Sequence, residues 1–479
     1  MPSADAVFWF RRDLRLADNP ALVAAIRIGR IVPLFIWDPS EEGDWPTGSA
    51  SRWWLHRSLS SLDAQLRKVG SRLVIRRGPA LKTLQALLGE TGARYVGWNR
   101  RYEPALIAVD REIKTQLQAM PHVEATSGNG SLLLEPWEVA TQSGGPYRVF
   151  TPFWRRCLEL APRRDLSALP ESLEPPDRWP ASVDLDDLKL NPTIDWDAGF
   201  RGRWSPGEEG AQRQLAHFVS QTLATYADSR DRVDIEGSSQ LSPHLRFGEL
   251  SPQQVWDAVE NASGLRANSS PACTSFLSEI GWREFAYHAL YHFPQMTNEP
   301  LREAFKQFPW QPRTDWIAAW RRGTKGIPIV DAAMRHLWHE GWMPNRARMI
   351  VASLLTKNLL VPWQVGAEWF WDTLVDADLA NNSLNWQWTA GCGVDAAPFF
   401  RIFNPVTQAE KFDPDGAYVR RWVPELARLE TPWLFKPWAA GAERLRQAGV
   451  KLGRDYPAPI VDLQESRRQA LAAYETLSS

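Results

Sequence analysis

A chain of 479 residues is more than one hydrophobic core usually serves, so two or three domains are expected. Its 44% hydrophobic and 23% charged content belongs to a folded globular protein and excludes a disordered scaffold. With 55 basic against 56 acidic side chains the net charge is −1, which excludes a global field drawing in polyanions and leaves any nucleic-acid site to a local basic patch.

The opening MPSADAVFWFRRDLR places an acid before a short apolar run and Arg11 and Arg12 straight after it, unlike a signal peptide. No apolar stretch approaches the roughly 18 residues that span a bilayer, so a soluble cytoplasmic protein with no membrane partner is expected. Residues 6–126 alternate β-like runs (VFWF, IVPLFIW at 31–37, RLVIRRG, RYVGW, HVEAT) with helical stretches at 51–69 and 104–119. That alternation predicts an α/β domain over 1–128, a Rossmann-like parallel sheet with helices on both faces. Asn19–Pro20 opens one helix that Gly29 closes, and Gly70 closes the next. Ligands of such sheets lie at the carboxyl ends of strands, which points to the loops after Trp37 and Trp98. No GxGxxG follows the first strand, so a nicotinamide site is not expected.

Between 129 and 204 the periodicity dissolves around Pro162, Pro170, Pro175, Pro176, Pro180 and Pro192, as in a long interdomain linker. From 205 to 479 apolar residues recur at helical spacing, predicting a large all-α domain. Eleven of the 26 tryptophans fall between Trp282 and Trp388, where large rings fill a helical core and a few are available for stacking or electron passage. The cysteines, Cys157, Cys273 and Cys392, are far apart and form no CxxC pair, so neither a disulfide framework nor a zinc site is expected.

Four stretches carry chemistry. GSSQLSPHLRFGEL (237–250) offers Ser238, Ser239 and Ser242 beside a helix start, a composition that cradles phosphate or simply caps a helix. In SEIGWREFAYH, Glu279 and Trp282 stand at i and i+3 and share a helix face, so a carboxylate can bond a base edge while the indole stacks on it. GWMPNRARM (341–349) places Asn345, Arg346, Arg348 and Met349 near Arg321, Arg322, Lys325, Arg335 and His336, the densest cationic region and the best candidate for phosphate contact. In LVDADLANNSLNWQW, Asp376 and Asp378 have no His or Cys nearby, which suits pairing with Arg348 and a cofactor better than a metal.

Taken in order, FWFRRDLRLADNPAL, GGPYRVFTPFW, LSPHLRFGE, WREF, PIVDAAMR, GWMPNRARM, DADLANN, NWQW and FFRIFNPVTQAEKFDPDG resemble the photolyase/cryptochrome family along nearly the whole chain. Within it the chain is most similar to bacterial class III cyclobutane pyrimidine dimer photolyases, relatives of plant cryptochromes. The resemblance implies a folded-back FAD in the helical domain, its phosphates held by Tyr226 and the loop Ser238, Ser239, Gln240, Leu241 and Ser242. It further implies that Asp376 and Asp378, flanking Ala377, bind its flavin and adenine parts, with Arg348 bridging to Asp376 and Asn382 facing flavin N5. The implied reaction is light-driven electron transfer from reduced FAD to a dimer flipped out of UV-damaged DNA. Trp282 and Trp388 would then flank the flipped bases, with Glu279 and Asn345 bonding them and Met349 alongside, while Arg346 and Arg401 grip the backbone. Trp386, Trp363 and Trp310 match the family's electron-carrying tryptophan chain, and Trp316, Trp320, Trp369 and Trp371 read as packing.

The likeness also implies an antenna, methenyltetrahydrofolate, near WNRRYEP (98–104), and a monomer associated with the nucleoid when on DNA. Histidines expected of a (6-4) photolyase are replaced by Asn345 and Met349. A cryptochrome would carry a long extension, whereas only about 17 residues follow the family region. Two departures are Pro344, where repair enzymes usually show His, and SLN (383–385), where many relatives have a glycine-rich turn.

Overall fold

A computed structural model describes residues 4–160, 165–263 and 270–477; Pro162, among the predicted linker prolines, lies outside them. Strands β1 (Ala6–Phe10), β2 (Ile31–Trp37), β3 (Val74–Arg77), β4 (Tyr95–Asn99) and β5 (Glu124–Gly128) form one parallel sheet in the order β3-β2-β1-β4-β5. Alternate side chains feed two cores, as the strand period of two requires. Phe8, Phe10 and Phe35 pack with Trp53 and Trp54 of the helix Ser49–Lys68, while Val7, Trp9 and Leu34 pack with Leu84 and Leu117 of the helices Ala80–Thr91 and Pro104–Gln118. The predicted α/β half is therefore present, and the helical half follows it.

Five residues after β1, Arg15 is fully buried and ties the two halves together. Its guanidinium donates to the carbonyls of Gly248 at 2.9 Å and Gly130 at 2.7 Å. Beside it, Glu208 of the helical half accepts from the backbone N–H groups of Leu16 and Ala17 at 2.7 and 3.0 Å. Glu249 likewise accepts from the indole of Trp54 at 2.9 Å.

The predicted linker is more structured than its prolines suggested. Leu173 and Val183 donate to Val69 and Ile75 along the sheet domain, and the helix Phe150–Leu160 packs on the 22-residue helix Pro271–His292. The reason is composition: FTPFW supplies large rings that bury against Phe285 and His288. Upstream, His288 accepts from the Tyr147 N–H at 3.0 Å and donates from Nδ1 to the Pro136 carbonyl at 3.1 Å. Among the described residues no helix is long and apolar enough to cross a membrane.

Burial, reinforced by His292, pushes the His288 imidazole down to about 4. Its folded value lies below the unfolded one, so the neutral ring's contribution is complete above about pH 6.5 and is lost as pH falls toward 4, by up to about 3 kcal/mol. His288→Gln should flatten that part of the acid limb in urea unfolding measured from pH 7 to 4; an unchanged limb would assign the loss to other groups.

Candidate functional site

A cavity of about 640 Å³ opens in the helical half, within the range that holds a large cofactor or ligand. Every residue expected to contact cofactor or base lines it, including Tyr226, the loop Ser238–Ser242, Glu279, Trp282, Asn345, Met349, Arg348, Asp376, Ala377, Asp378, Asn382 and Trp388. Burial grades its wall: Asp376, Asp378, Asn382 and Trp386 are buried, Trp282, Met349 and Trp388 half-buried, and Asn345 exposed. The acidic turn is the floor and the indoles stand toward the rim.

Two carboxylates flank one alanine on that floor, and each has its own donors. Arg348 grips Asp376 through both terminal nitrogens at 2.8 and 3.1 Å, and the Ser242 hydroxyl donates to the same carboxylate at 2.6 Å. Arg348 is itself aimed by donating Nε to the Met343 carbonyl at 2.9 Å. Asp378 caps the helix Leu379–Ala390, accepting from the Asn381 N–H and side-chain amide at 2.9 and 2.7 Å, while Tyr287 donates to its second oxygen. Arg246 donates Nε to the Ala377 carbonyl, and its Nη1 is buried without a partner, a cationic donor with an acceptor missing. Asn382 commits Nδ2 to the Ala367 carbonyl at 3.0 Å, so its oxygen is left to accept. The Ser238–Ser242 loop bends through Gln240 at φ 55°, a left-handed conformation uncommon for a residue with a side chain. Among the described residues no cluster of three metal-ligating side chains occurs, and Asp376 takes Arg348 and Ser242 while Asp378 takes Tyr287 and Asn381.

Toward the rim, Glu279 pairs with Arg230 at 2.7 Å; burial raises its carboxyl pKa, and Arg230 opposes that shift. Trp282 lies flat on Phe150 at 3.9 Å and 9° between planes. Arg346 pairs with Asp231 at 2.5 Å and sits 4.4 Å over the ring of Phe412. Arg401 is exposed beside Phe400, outside the cavity.

In the wider cationic cluster Arg322 is exposed, whereas Lys325, Arg335 and His336 are committed to protein partners. Lys325 is fully buried and donates to the Trp316 carbonyl, Arg335 pairs with Glu425 at 2.7 Å, and buried His336 bonds Tyr418 and Glu340. Lys325 is buried from the loop before the helix Pro328–Glu340 and His336 from that helix, and net charge gives no warning of either. Arg230, Asp231, Arg246 and Phe150 were missed. The first two follow Tyr226 closely in sequence, and Arg246 and Phe150 lie within the matching stretches LSPHLRFGE and GGPYRVFTPFW, though no role was assigned to them.

At the sheet's carboxyl edge, below the loops after Trp37 and Trp98, the crevice holds only about 60 Å³. Arg12, Arg101, Glu42 and Glu103 fill it, with Arg12 and Arg101 2.7 and 2.8 Å from Glu103. In this arrangement the side chains at the strand ends are paired with one another.

Of the expected tryptophan chain, Trp386 is buried and lines the cavity, Trp363 is buried in the same core, and Trp310 is half-buried at its edge. Trp386 meets Phe370 at 5.0 Å and Trp320 at 6.2 Å, both edge-on. Its ring also presses on Gly366, where an added Cβ would stand 2.1 Å from Cη2. Gly366→Ala should therefore force the indole aside and cost about 1–3 kcal/mol by overpacking. Urea unfolding reads the loss, and a variant as stable as the native chain would show that the ring gives way freely.

The family pattern described as the FAD binding domain of DNA photolyase matches residues 276–476, and that described as DNA photolyase matches residues 6–176. A deoxyribodipyrimidine photo-lyase of Agrobacterium fabrum is 48% identical over 477 residues, 99% of this chain and 98% of that protein. Cryptochrome-1 of Arabidopsis thaliana is 39% identical over 96% of this chain and 69% of its own length. A solved bacterial class III photolyase from Agrobacterium tumefaciens superposes with a TM-score of 0.95 at 47% identity, covering 100% of this chain and 98% of that one.

Proposed function

The chain belongs to the photolyase/cryptochrome family, and from that premise we propose that its cavity binds FAD and receives a pyrimidine dimer flipped out of UV-damaged DNA, which the protein repairs in light. The relative that is 48% identical is named as a photo-lyase, and the cryptochromes, at 39% identity or less, are more distant than it. The single observation that carries the reading is the coexistence, in one cavity, of a floor of hydrogen-bonded acids and a rim of indoles.

Bound FAD, reduced and photoexcited, supplies the electron that opens the two bonds joining the pyrimidines and takes it back. The chain's residues bind, orient and exclude water. Asp376 and Asp378 present oxygens already fixed by Arg348, Ser242 and Tyr287, so they need not reorganise to accept ring or ribose donors. Partnerless Arg246 Nη1 is placed for an anionic or carbonyl oxygen, and Tyr226 with the 238–242 loop takes the phosphates. The free oxygen of Asn382 can accept the ring N–H that reduction creates. On the rim, Trp282 and Trp388 provide stacking faces, Glu279 and Asn345 hydrogen-bonding groups, and Met349 a compliant apolar contact. Buried Trp386 and Trp363 and half-exposed Trp310 suit a path from surface to cofactor. For the antenna, class III likeness favours methenyltetrahydrofolate, seated near 98–104.

Blue light should restore intact thymines in a dimer-containing oligonucleotide in the presence of the reduced holoprotein, and darkness should not. No recovery under light would shift the reading to a cryptochrome-type signalling flavoprotein. A second expectation follows from Arg346, which must exchange Asp231 for a DNA phosphate. Asp231→Asn should tighten binding to any DNA sequence by about three- to tenfold at low salt, without added lesion preference. Fluorescence anisotropy across a salt series decides this, and unchanged affinity would remove Arg346 from the backbone grip.

A further inference from the structure

The wall that meets the flipped base has a support behind it. Trp282 uses one face of its indole against Phe150, the rings parallel within 9° and 3.9 Å apart. Trp154 continues the column on Phe150 at 6.4 Å and 12°, and Trp256 closes it edge-on at 6.0 Å from Trp154. Gly281 makes room for the column, since a Cβ there would stand 2.6 Å from the Trp154 ring. Phe150 is held from two other elements: its N–H donates to Asp395 at 3.1 Å, and Phe285 meets its ring edge-on at 6.1 Å.

From this geometry we infer that Phe150, on the segment between the two domains, is a positioning residue for lesion recognition: it fixes Trp282 so that one indole face alone remains for the extruded base. The inference rests on the reading of Trp282 as a base-stacking wall. An indole without backing turns about its two side-chain torsions, and an incoming base must then order it. A ring already clamped is preorganised, so that ordering cost falls outside the binding step. Parallel stacking in the column also sets the tilt at which a base can lie flat. No group of Phe150 reaches the reacting bonds, so its effect belongs to binding of the dimer and not to the light-driven step.

The test measures anisotropy with dimer-containing and undamaged oligonucleotides, and repair rate at saturating DNA, for the flavin-loaded protein. Phe150→Leu should weaken dimer binding by roughly three- to tenfold, the scale of one side chain left unordered. Undamaged-DNA binding, flavin content and saturated repair rate should hold, and Phe150→Tyr should restore native affinity. Phe150→Met takes its place if the leucine variant does not fold. In a Trp282→Ala background the Phe150 change should have no further effect. Equal loss for both DNAs, or a full additional loss in the Trp282→Ala background, would overturn the positioning role, as would native dimer affinity in Phe150→Leu while Trp282→Ala binds weakly. If Trp282→Ala itself keeps native dimer affinity, the wall reading fails and the column's role goes with it.

Discussion

An ionised carboxylate taken out of water must find counter-charge and donors, and the turn Asp376–Ala377–Asp378 places two such groups at the base of one cavity. Neither could stay there alone. Arg348 comes from the helix Asn345–Ser353, Ser242 from the helix Ser242–Arg246 and Tyr287 from the helix Pro271–His292. Asn381 lies one turn into the helix that Asp378 caps. A three-residue turn thus gathers four helices, and the space they leave is the site.

Because the donors are shared among those helices, the cavity has a fixed floor and a freer rim. Polar groups at the floor are already oriented by protein, which suits a resident cofactor. Toward the surface the ion pairs Arg230–Glu279 and Arg346–Asp231 join successive residues of one strand of chain to two different helices. Partly exposed pairs of this kind exchange partners at small cost, and a polyanion is the partner that the rim's arginines and stacking rings fit. The domain seam contributes rigidity from outside: buried Arg15 and Glu208 spend their hydrogen bonds on backbone across it.

Several features are legible in the chain itself. Strand runs, their flanking helices and the Glu279/Trp282 pair follow from periods of two and 3.6, which need no knowledge of distant residues. Pairing of the acids with Arg348 was expected from charge type and the absence of metal-binding neighbours, and the resemblance implied that Asp376 is the partner. The partners that Lys325, Arg335 and His336 take inside the protein are not visible from their clustering in sequence. The ion pairs at the strand ends join side chains from separate segments, which local periodicity cannot anticipate.

What the amino-acid order determined by itself is the inventory and its local geometry: a parallel α/β half, a helical half, and motifs whose members stand one turn apart. Only the folded chain decided which groups meet across 134 residues, as Ser242 and Asp376 do, or across the supposed linker, as Phe150 and Trp282 do. The physical reason is that periodicity encodes a face, whereas the partner on that face is chosen by packing and by the need to satisfy every buried charge.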